Sequence, residues 1–390
     1  MKAGAGSRYQ RGFISTHPSV GCPRSAYRLA TDRMGPAMSF RKDNSDYEAW
    51  LAEQCDVVKK DIAYKHHRMK KSPFIFLRAT YFRWARKIGD WCPELMDAPK
   101  LLSIGDLHLE NFGTWRDADG RLVWGVNDFD EAAVMPYVLD LVRLVTSIQL
   151  APHPAVDPRR AAKAVLRGYR EGLEEPQPAL LFEGQTWLRP YAEPAEDRLQ
   201  KFWNEVADYP QYQPPSRVAK ALIENLPDGV EKKNVRLCSV PYKGGGSLGR
   251  PRYAAVGHWR GGQVIREAKA LVPSAWTWAS GEKSGNSNFL ELANGRYRAP
   301  DPFLQVRHGF VFRRVAADSH KIELGADAGK KLQLNLLAAM GFDIASVHAA
   351  GLAPIKALRA DLERRPRGWL NAAAEVAADN VKRDYREWRN

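Results

Sequence analysis

SIGDLHLENFGTWRDADGRLVWGVNDFDEA, residues Ser103 to Ala132, places Asp106, Asp117, Asp119, Asp128 and Asp130 along two apolar runs, with Glu110, Glu131, His108, Asn111 and Asn127 among them. Carboxylates at this density disfavour one another's ionisation unless something cationic sits between them. FGTW and RLVWGV alternate as strands do, and RDADG supplies the Asp and Gly of a hairpin turn. Folding back brings Asn111, before the first strand, close to Asp128, just past the second. An Asn oxygen and an Asp carboxylate are hard ligands suited to Mg²⁺, which keeps waters and takes its other ligands from phosphates. Asp106 follows the short apolar strand of KLLSIGD and stands near that metal without needing to bind it.

That is the position of a base that accepts a hydroxyl proton. A loop Asp, an Asn and a metal-binding Asp divide the labour of phosphoryl transfer in this way. Any one of these residues alone has a plainer reading, since short Asp and Asn side chains serve turns. The joint pattern of loop, hairpin and closing Asp carries the inference. His108 reads as a packing or supporting histidine. Asp130 and Glu131 read either as alternative metal ligands or as charges at a helix start.

Working outward, DYEAWLAEQCDVVKKDIAYKHH (46–67) has helical spacing. SPFIFLRATYFRWARKI is strand or buried helix, which periodicity does not decide. YVLDLVRLVTSIQL predicts a buried helix, and PRRAAKAVLRGYREGL a second with a basic outer face. Residues 175–225, rich in Pro, Gln and aromatics, predict loops and short helices, and Phe182 to Pro214 is a candidate for substrate contacts. FLQVRHGFVFRRVA predicts a strand pair, and GKKLQLNLLAAMGFDIASVHAAG and WLNAAAEVAADNVKRDYREW predict helices.

GGGSLG, Gly244 to Gly249, fits G-x-G-x-x-G but lies between two predicted strands, not between strand and helix, which argues against a dinucleotide fold. A glycine loop joining strands lets backbone N–H groups approach ATP phosphates, here at Gly244, Gly246, Ser247 and Gly249. After a turn at Gly261–Gly262, the next strand, QVIREAKA, holds Arg266 and Lys269. Their spacing puts them on opposite faces. Register favours Arg266 for the phosphate contact, although Arg is not a routine replacement for lysine.

GDLHLEN resembles the H-G-D-x-H-x-x-N loop of aminoglycoside phosphotransferases and choline kinases, and VNDFDEA resembles their I-D-F-D/E segment. The resemblance implies Asp106 as base and Asn111 and Asp128 as metal ligands. It also implies that Asp140, on the next helix, buttresses the loop. Ile104 stands where those families have His. Their glycine loop precedes the catalytic loop; here it follows. LLAAMGFDIASVHAAG resembles the helix that leads into their catalytic loop, yet it lies near the C-terminus. Circular permutation accounts for both facts. In order, SPFIFLRATYFRW, GDLHLENFG, NDFDEA, DLVRLVTS, GGGSLGRPRY, REAKA, SVHA and KRDY are similar to the bacterial family called domain of unknown function 2252, from about Asp46 to the C-terminus. That family is grouped with kinase-like folds and has no settled substrate.

The expected fold is therefore α+β: a protein-kinase-like, two-lobe, circularly permuted architecture. Residues 1–40 form a disordered basic leader, 41–230 a helical catalytic lobe, 231–325 a nucleotide-covering β lobe, and 326–390 helices completing the first. Met34 and Met38 precede the first periodic segment as candidate starts. The expected activity is ATP- and Mg²⁺-dependent phosphotransfer to a small-molecule hydroxyl. The alternatives are a nucleotide-binding pseudokinase, and a metal-dependent phosphatase read from the D-x-D of DFDEA.

The net charge of +14 favours anionic partners. The run KKSPFIFLRATYFRWARK could stack nucleic-acid bases, but reads first as core with snorkelling Arg and Lys. The four cysteines, Cys22, Cys55, Cys92 and Cys238, form no CxxC pair. A reducing cytoplasm without zinc or disulfides fits them. No apolar stretch is long enough to span a membrane.

Overall fold

Helices α1 (Phe40–Gln54) and α2 (Lys59–Met69) occupy the first periodic segment, where the sequence pattern predicts one continuous helix. The break has a tertiary cause. The Val58 N–H donates to the carbonyl of Gly249 at 2.9 Å, so it cannot serve the helix ladder. The aromatic run is helical as well, in α3 (Pro73–Ala79) and α4 (Tyr81–Trp91). Pro73 opens α3, and Ser72 Oγ caps it by accepting from the Ile75 N–H at 3.2 Å. Phe74, Phe76, Tyr81, Phe82 and Trp84 are buried in the core, out of reach of any nucleic-acid base.

The computed structural model describes residues 39–152, 156–192, 196–282, 287–319, 333–351 and 354–390. The leader expected to be disordered lies outside the described residues up to position 38. Strands β1 (Lys100–Ser103), β2 (Phe112–Arg116), β3 (Leu122–Val126) and β4 (Ala133–Pro136) precede helices α5 (Val138–Leu150) and α6 (Pro158–Glu174). β2 and β3 form the expected hairpin, with Thr114 opposite Trp124. Asp117 closes its turn by accepting from the N–H groups of Asp119 and Arg121 at 3.0 and 2.9 Å. β1 pairs with β4, which the sequence pattern does not reveal. Asp130 and Glu131 thus sit in the loop before a strand, not at a helix start.

β5 (Ala179–Leu180) adds to the hairpin. Short helices α7 (Arg189–Ala192), α8 (Glu196–Ala207) and α9 (Ser216–Glu224) follow. Next come β6 (Arg236–Ser239), β7 (Arg252–Trp259) and β8 (Gly262–Ala270), helices α10 (Ala275–Ser280) and α11 (Phe289–Ala293), and then β9 (Gln305–Arg307) and β10 (Phe310–Val315). These strands form an antiparallel sheet of order β6-β7-β8-β10-β9. The β7–β8 turn uses Arg260 and Gly261, both at positive φ, one residue before the expected pair. Helices α12 (Leu334–Ala349), α13 (Ile355–Arg364) and α14 (Trp369–Arg389) end the chain.

The largest apolar core joins α1–α6 to α12–α14, so segments from both ends of the sequence fill one interior. α12 lies almost backbone to backbone on α6: a Cβ on Gly168 would stand 1.8 Å from the Ala338 carbonyl oxygen. The ends meet too. The N–H groups of Phe40 and Arg41 both donate to the Glu387 carboxylate at 3.2 Å. Beneath them Arg83 of α4 is buried between Asp43 of α1 and Asp384 of α14, gripping Asp384 through Nε and Nη2 at 2.9 and 3.1 Å. Smaller cores, one containing Val218, Leu222 and Phe312, back the five-stranded sheet. No helix among the described residues is long and apolar enough to cross a membrane.

Within that sheet, Glu267 of β8 accepts from Arg252 Nη1 at 3.1 Å and from Arg313 Nε at 2.9 Å. Burial alone would raise its carboxyl pKa, but Arg252, Arg313 and Lys269 pull it down to about 2. A depressed carboxyl stabilises the fold above its unfolded pKa and loses that contribution as pH falls toward 2. Glu267→Gln should therefore cost on the order of 3 kcal/mol at pH 7 in a denaturant titration. The difference from wild type should shrink between about pH 4.5 and 2. Equal midpoints at pH 7 would contradict this account of the sheet.

Candidate functional site

The loop after β1 is held by one buried carboxylate. Asp140, in the first turn of α5, accepts from the N–H groups of Ile104 at 2.8 Å and Gly105 at 2.9 Å. His348, near the end of α12, brings Nε2 to within 3.0 Å of the same carboxylate and places Nδ1 2.9 Å from Tyr169 Oη. An ionised carboxylate only accepts, so Nε2 carries the proton of that contact. The one histidine that reaches the Asp140 carboxylate among the described residues thus comes from another helix. Gly105 is required here. Its φ is +89°, and a Cβ would stand 2.3 Å from the Glu131 carbonyl oxygen.

Beyond Asp106 the chain makes a single 3₁₀ turn, Leu109–Asn111. His108 Nδ1 accepts from the Glu110 N–H at 3.1 Å, and Asn111 Oδ1 accepts from the His108 N–H at 3.2 Å. His108 is therefore a cap on this turn. The Asn111 carbonyl accepts from the Asn127 N–H at 3.1 Å, which fastens the loop to the segment holding Asp128.

Lys269 of β8 reaches into the carboxylates, 3.2 Å from Asp128 and 2.7 Å from Asp130. Arg250 binds Glu131 at 2.6 Å and Asp130 at 3.4 Å. Burial, then the charge of Asp128, raises the Asp130 carboxyl pKa. Two buried oxygens here, Asn127 Oδ1 and Asp130 Oδ1, have no hydrogen-bond partner among the described residues. The described residues contain no group of three or more His, Cys, Asp or Glu that could hold a metal.

Register on β8 favours Arg266 for this place, and the structure puts Lys269 there instead. Arg266 points the other way: its Nε donates to the Asn225 carbonyl at 2.8 Å and its guanidinium stacks on Phe303. Burial, then Arg314, pulls its pKa down to about 10. The three-residue spacing guaranteed opposite faces, and the carboxylates lie on the lysine's.

The glycine loop bends at Gly244 and Gly249, with φ of +95° and +98°. The Gly244 carbonyl accepts from Arg68 Nη1 at 3.1 Å, and Ser247 Oγ from Arg252 Nη2 at 3.2 Å. Its centre rests on the Asp106 loop: a Cβ on Gly246 would lie 3.0 Å from Asp106 Oδ2 and from the Arg78 carbonyl oxygen. The other Asp106 oxygen accepts from Arg143 Nε at 3.0 Å. Arg143 is fully buried, stacks on Tyr81 and Trp84, and also donates to the Leu77 carbonyl. Burial raises the Asp106 carboxyl pKa against the opposing pull of Arg143. Sequence inspection passes over Arg143, yet a lone Arg within the apolar run of α5 is a signal of a paired buried charge.

A second residue missed from sequence is Lys65 of α2. It is 1 % exposed, lies 5.9 Å from the centroids of the Tyr47 and Phe82 rings, and has no carboxylate or carbonyl partner among the described residues. It borders a small cavity together with Arg68, Ile75, Arg78 and Gly245. Burial pulls its pKa down to about 8, against the raising effect of Glu48.

Residues 57–188, about a third of the chain, match the family described as "Uncharacterized protein conserved in bacteria (DUF2252)". The match takes in Lys65, Asp106, Asn111, Asp128, Asp140 and Arg143 and stops before the glycine loop. No curated protein and no solved structure matches the chain.

An ammonium pKa lowered in the fold costs stability below that pKa, and the cost fades as pH rises toward the unfolded value of 10.5. Lys65→Met should therefore stabilise the protein at pH 7 by on the order of 1–3 kcal/mol. Denaturant midpoints should converge with wild type between pH 8 and 10.5. A destabilised variant at pH 7 would mean that Lys65 has a partner within the fold.

Proposed function

We propose that the protein is an ATP- and magnesium-dependent phosphotransferase acting on a small-molecule hydroxyl. One observation carries this reading: Gly246 lies against Asp106, although the two are far apart in sequence. A glycine loop and a carboxylate base opposed in this way are the covering and accepting parts of a phosphoryl-transfer cleft. Lys269 supports it: it lies on the third strand of its sheet and reaches Asp128 at the end of the hairpin, so a phosphate bound beside that carboxylate would lie within its reach. The meeting of Phe40 with Glu387, and the delivery of His348 to Asp140, fit a permuted chain.

On this reading Asn111 and Asp128 would hold the magnesium, with the unpartnered oxygens of Asn127 and Asp130 beside them. Few protein oxygens suit an ion that takes the rest from water and phosphate. When bound it would supply charge neutralisation for the nucleotide's phosphates. Lys269 neutralises the same region, and the N–H groups of the glycine loop approach phosphate oxygens. Asp106 takes the acceptor's hydroxyl proton as the new O–P bond forms to the γ-phosphorus. The bond from that phosphorus to the β–γ bridging oxygen breaks, and ADP carries away the electron pair. Arg143 holds the base in place through Oδ1.

A second reading, a nucleotide-binding module without transfer, draws on a different feature. The glycine loop rests directly on Asp106, and Lys269 is already paired with two carboxylates.

A thermal-shift scan with millimolar ATP, with and without Mg²⁺, tests both, since binding to the native state raises Tm. A Mg²⁺-dependent rise is expected; no rise sinks both readings. An ATP-consumption screen against pooled metabolites then separates them. Asp106→Asn should cut turnover by about 10²–10⁴-fold while keeping the ATP shift. Because the Asp106 carboxyl is raised, the acid limb of the rate profile should lie above the usual carboxylate range near pH 4.

A further inference from the structure

Beside the loop that covers Asp106 is a small, mostly apolar cavity bordered by three cationic residues. Lys65 brings an ammonium from α2, Arg68 a guanidinium one turn further along, and Arg78 a third positive group from α3. Gly245 forms the opposite wall, where a Cβ would stand 3.4 Å from Arg78 Nη2. Two of the three cations are spoken for. Arg78 pairs with Glu110, and Arg68 donates to the Gly244 carbonyl. Lys65 touches the faces of Tyr47 and Phe82, and Glu48, Glu131 and Asp106 act on it only beyond ion-pair distance.

An ammonium removed from water is costly unless it is paired. Here it borders a cavity instead of a carboxylate. The backbone N–H groups of Gly245, Gly246 and Ser247 likewise find no acceptor among the described residues. Lys65, Arg68, Arg78 and Gly245 thus border one cavity, with the loop's unsatisfied N–H groups close by. The nearby carboxylates are engaged: Glu110 by Arg78, Glu48 by His66, and Asp106 by Arg143.

We propose that this cavity is a phosphate site, in which Lys65, Arg68 and Arg78 bind the oxygens of a phosphate group and the Gly245–Ser247 backbone closes over it. Phosphate suits the set because its oxygens accept from an ammonium, a guanidinium fork and backbone N–H groups together. The cavity has room for about one water-sized body with the loop down. Binding therefore lifts Gly245 and Gly246 away from Arg78 and Asp106, about the positive-φ glycines at either end. The proposal stands on this cavity and does not need the transfer reading to hold.

Calorimetric titration of the full chain with inorganic phosphate, at ionic strength held constant with chloride, tests it. Saturable binding is expected. Lys65→Met and Arg68→Ala should each weaken it at least about tenfold, as loss of one charge-assisted contact does. Lys220→Ala, on the exposed face of α9, should bind as wild type. Phosphate should also narrow or reverse the stability advantage of Lys65→Met, a crossing that a purely structural lysine would not produce.

Two further arms identify the phosphate's source. Competition between inorganic phosphate and ATP–Mg²⁺ marks the nucleotide's own terminal phosphate, and tighter binding of glycerol 3-phosphate marks a phosphorylated acceptor. Independent binding of phosphate and ATP, with no gain from the monoester, marks free phosphate. No saturable binding by wild type, or wild-type affinity in both Lys65→Met and Arg68→Ala, overturns the site. Phosphate binding without an ATP shift leaves the site standing and removes the transferase reading; the converse result removes the site alone.

Discussion

The buried carboxylate of Asp140 is the constraint on which the centre of this fold turns. A charge fully out of water is tolerated only when its acceptor sites are filled. Here they are filled by the N–H groups of Ile104 and Gly105 and by His348. These donors come from the loop after β1 and from a helix 208 residues beyond Asp140. Satisfying one side chain therefore fixes the direction in which Asp106 leaves its strand and requires α12 to lie against α5 and α6. The glycines that let α12 approach α6 serve the same end. A thicker interface would draw His348 away from Asp140.

The parts legible in the sequence are those whose physics is local. The β2–β3 hairpin follows from alternation and an Asp–Gly turn, and α5, α6 and the C-terminal helices from apolar spacing. The Asp106–Asn111 turn and its closeness to Asp128 follow from the hairpin alone. What escaped depends on which segments meet. The break between α1 and α2 exists because Gly249 takes the Val58 N–H, and no window around Val58 contains Gly249. Strand geometry places Arg266 and Lys269 on opposite faces but does not say which face meets the carboxylates. Arg143 and Lys65 carry no motif; only burial marks them.

Chain order and spatial order diverge in a way that explains the shared core. The segments before Leu150 and after Gln333 pack together, and the five-stranded sheet is built from the chain between them. The ends of this region are tied at Glu387 and, beneath, by Arg83 between Asp43 and Asp384. Where termini adjoin, moving the break in the chain costs little, because the same contacts form whichever segment is made first. The proposed kinship with kinase-like folds therefore asks only for a change of starting point. On the proposed reading, Asp106, Asp128, Lys269 and the glycine loop would keep the spatial relations that phosphoryl transfer needs.

Charge balance at the centre separates residues that hold the fold from those that face a ligand. Arg83, Arg143, Arg250 and Lys269 are all buried, and each ends on a carboxylate. Arg266 lacks one but is satisfied by carbonyls and by stacking on Phe303. These cations are internally compensated, and removing one would leave a carboxylate or carbonyl stranded. Lys65 breaks the pattern. Its charge helps to hold the Glu48 carboxyl down, but burial makes that charge costly to the fold. A buried side chain whose charge costs more than it returns within the folded chain is the expected signature of a group held ready for something outside it. It borders the loop that covers Asp106, so the missing counter-charge belongs to whatever binds there, and the donors around it specify an anion rich in oxygen.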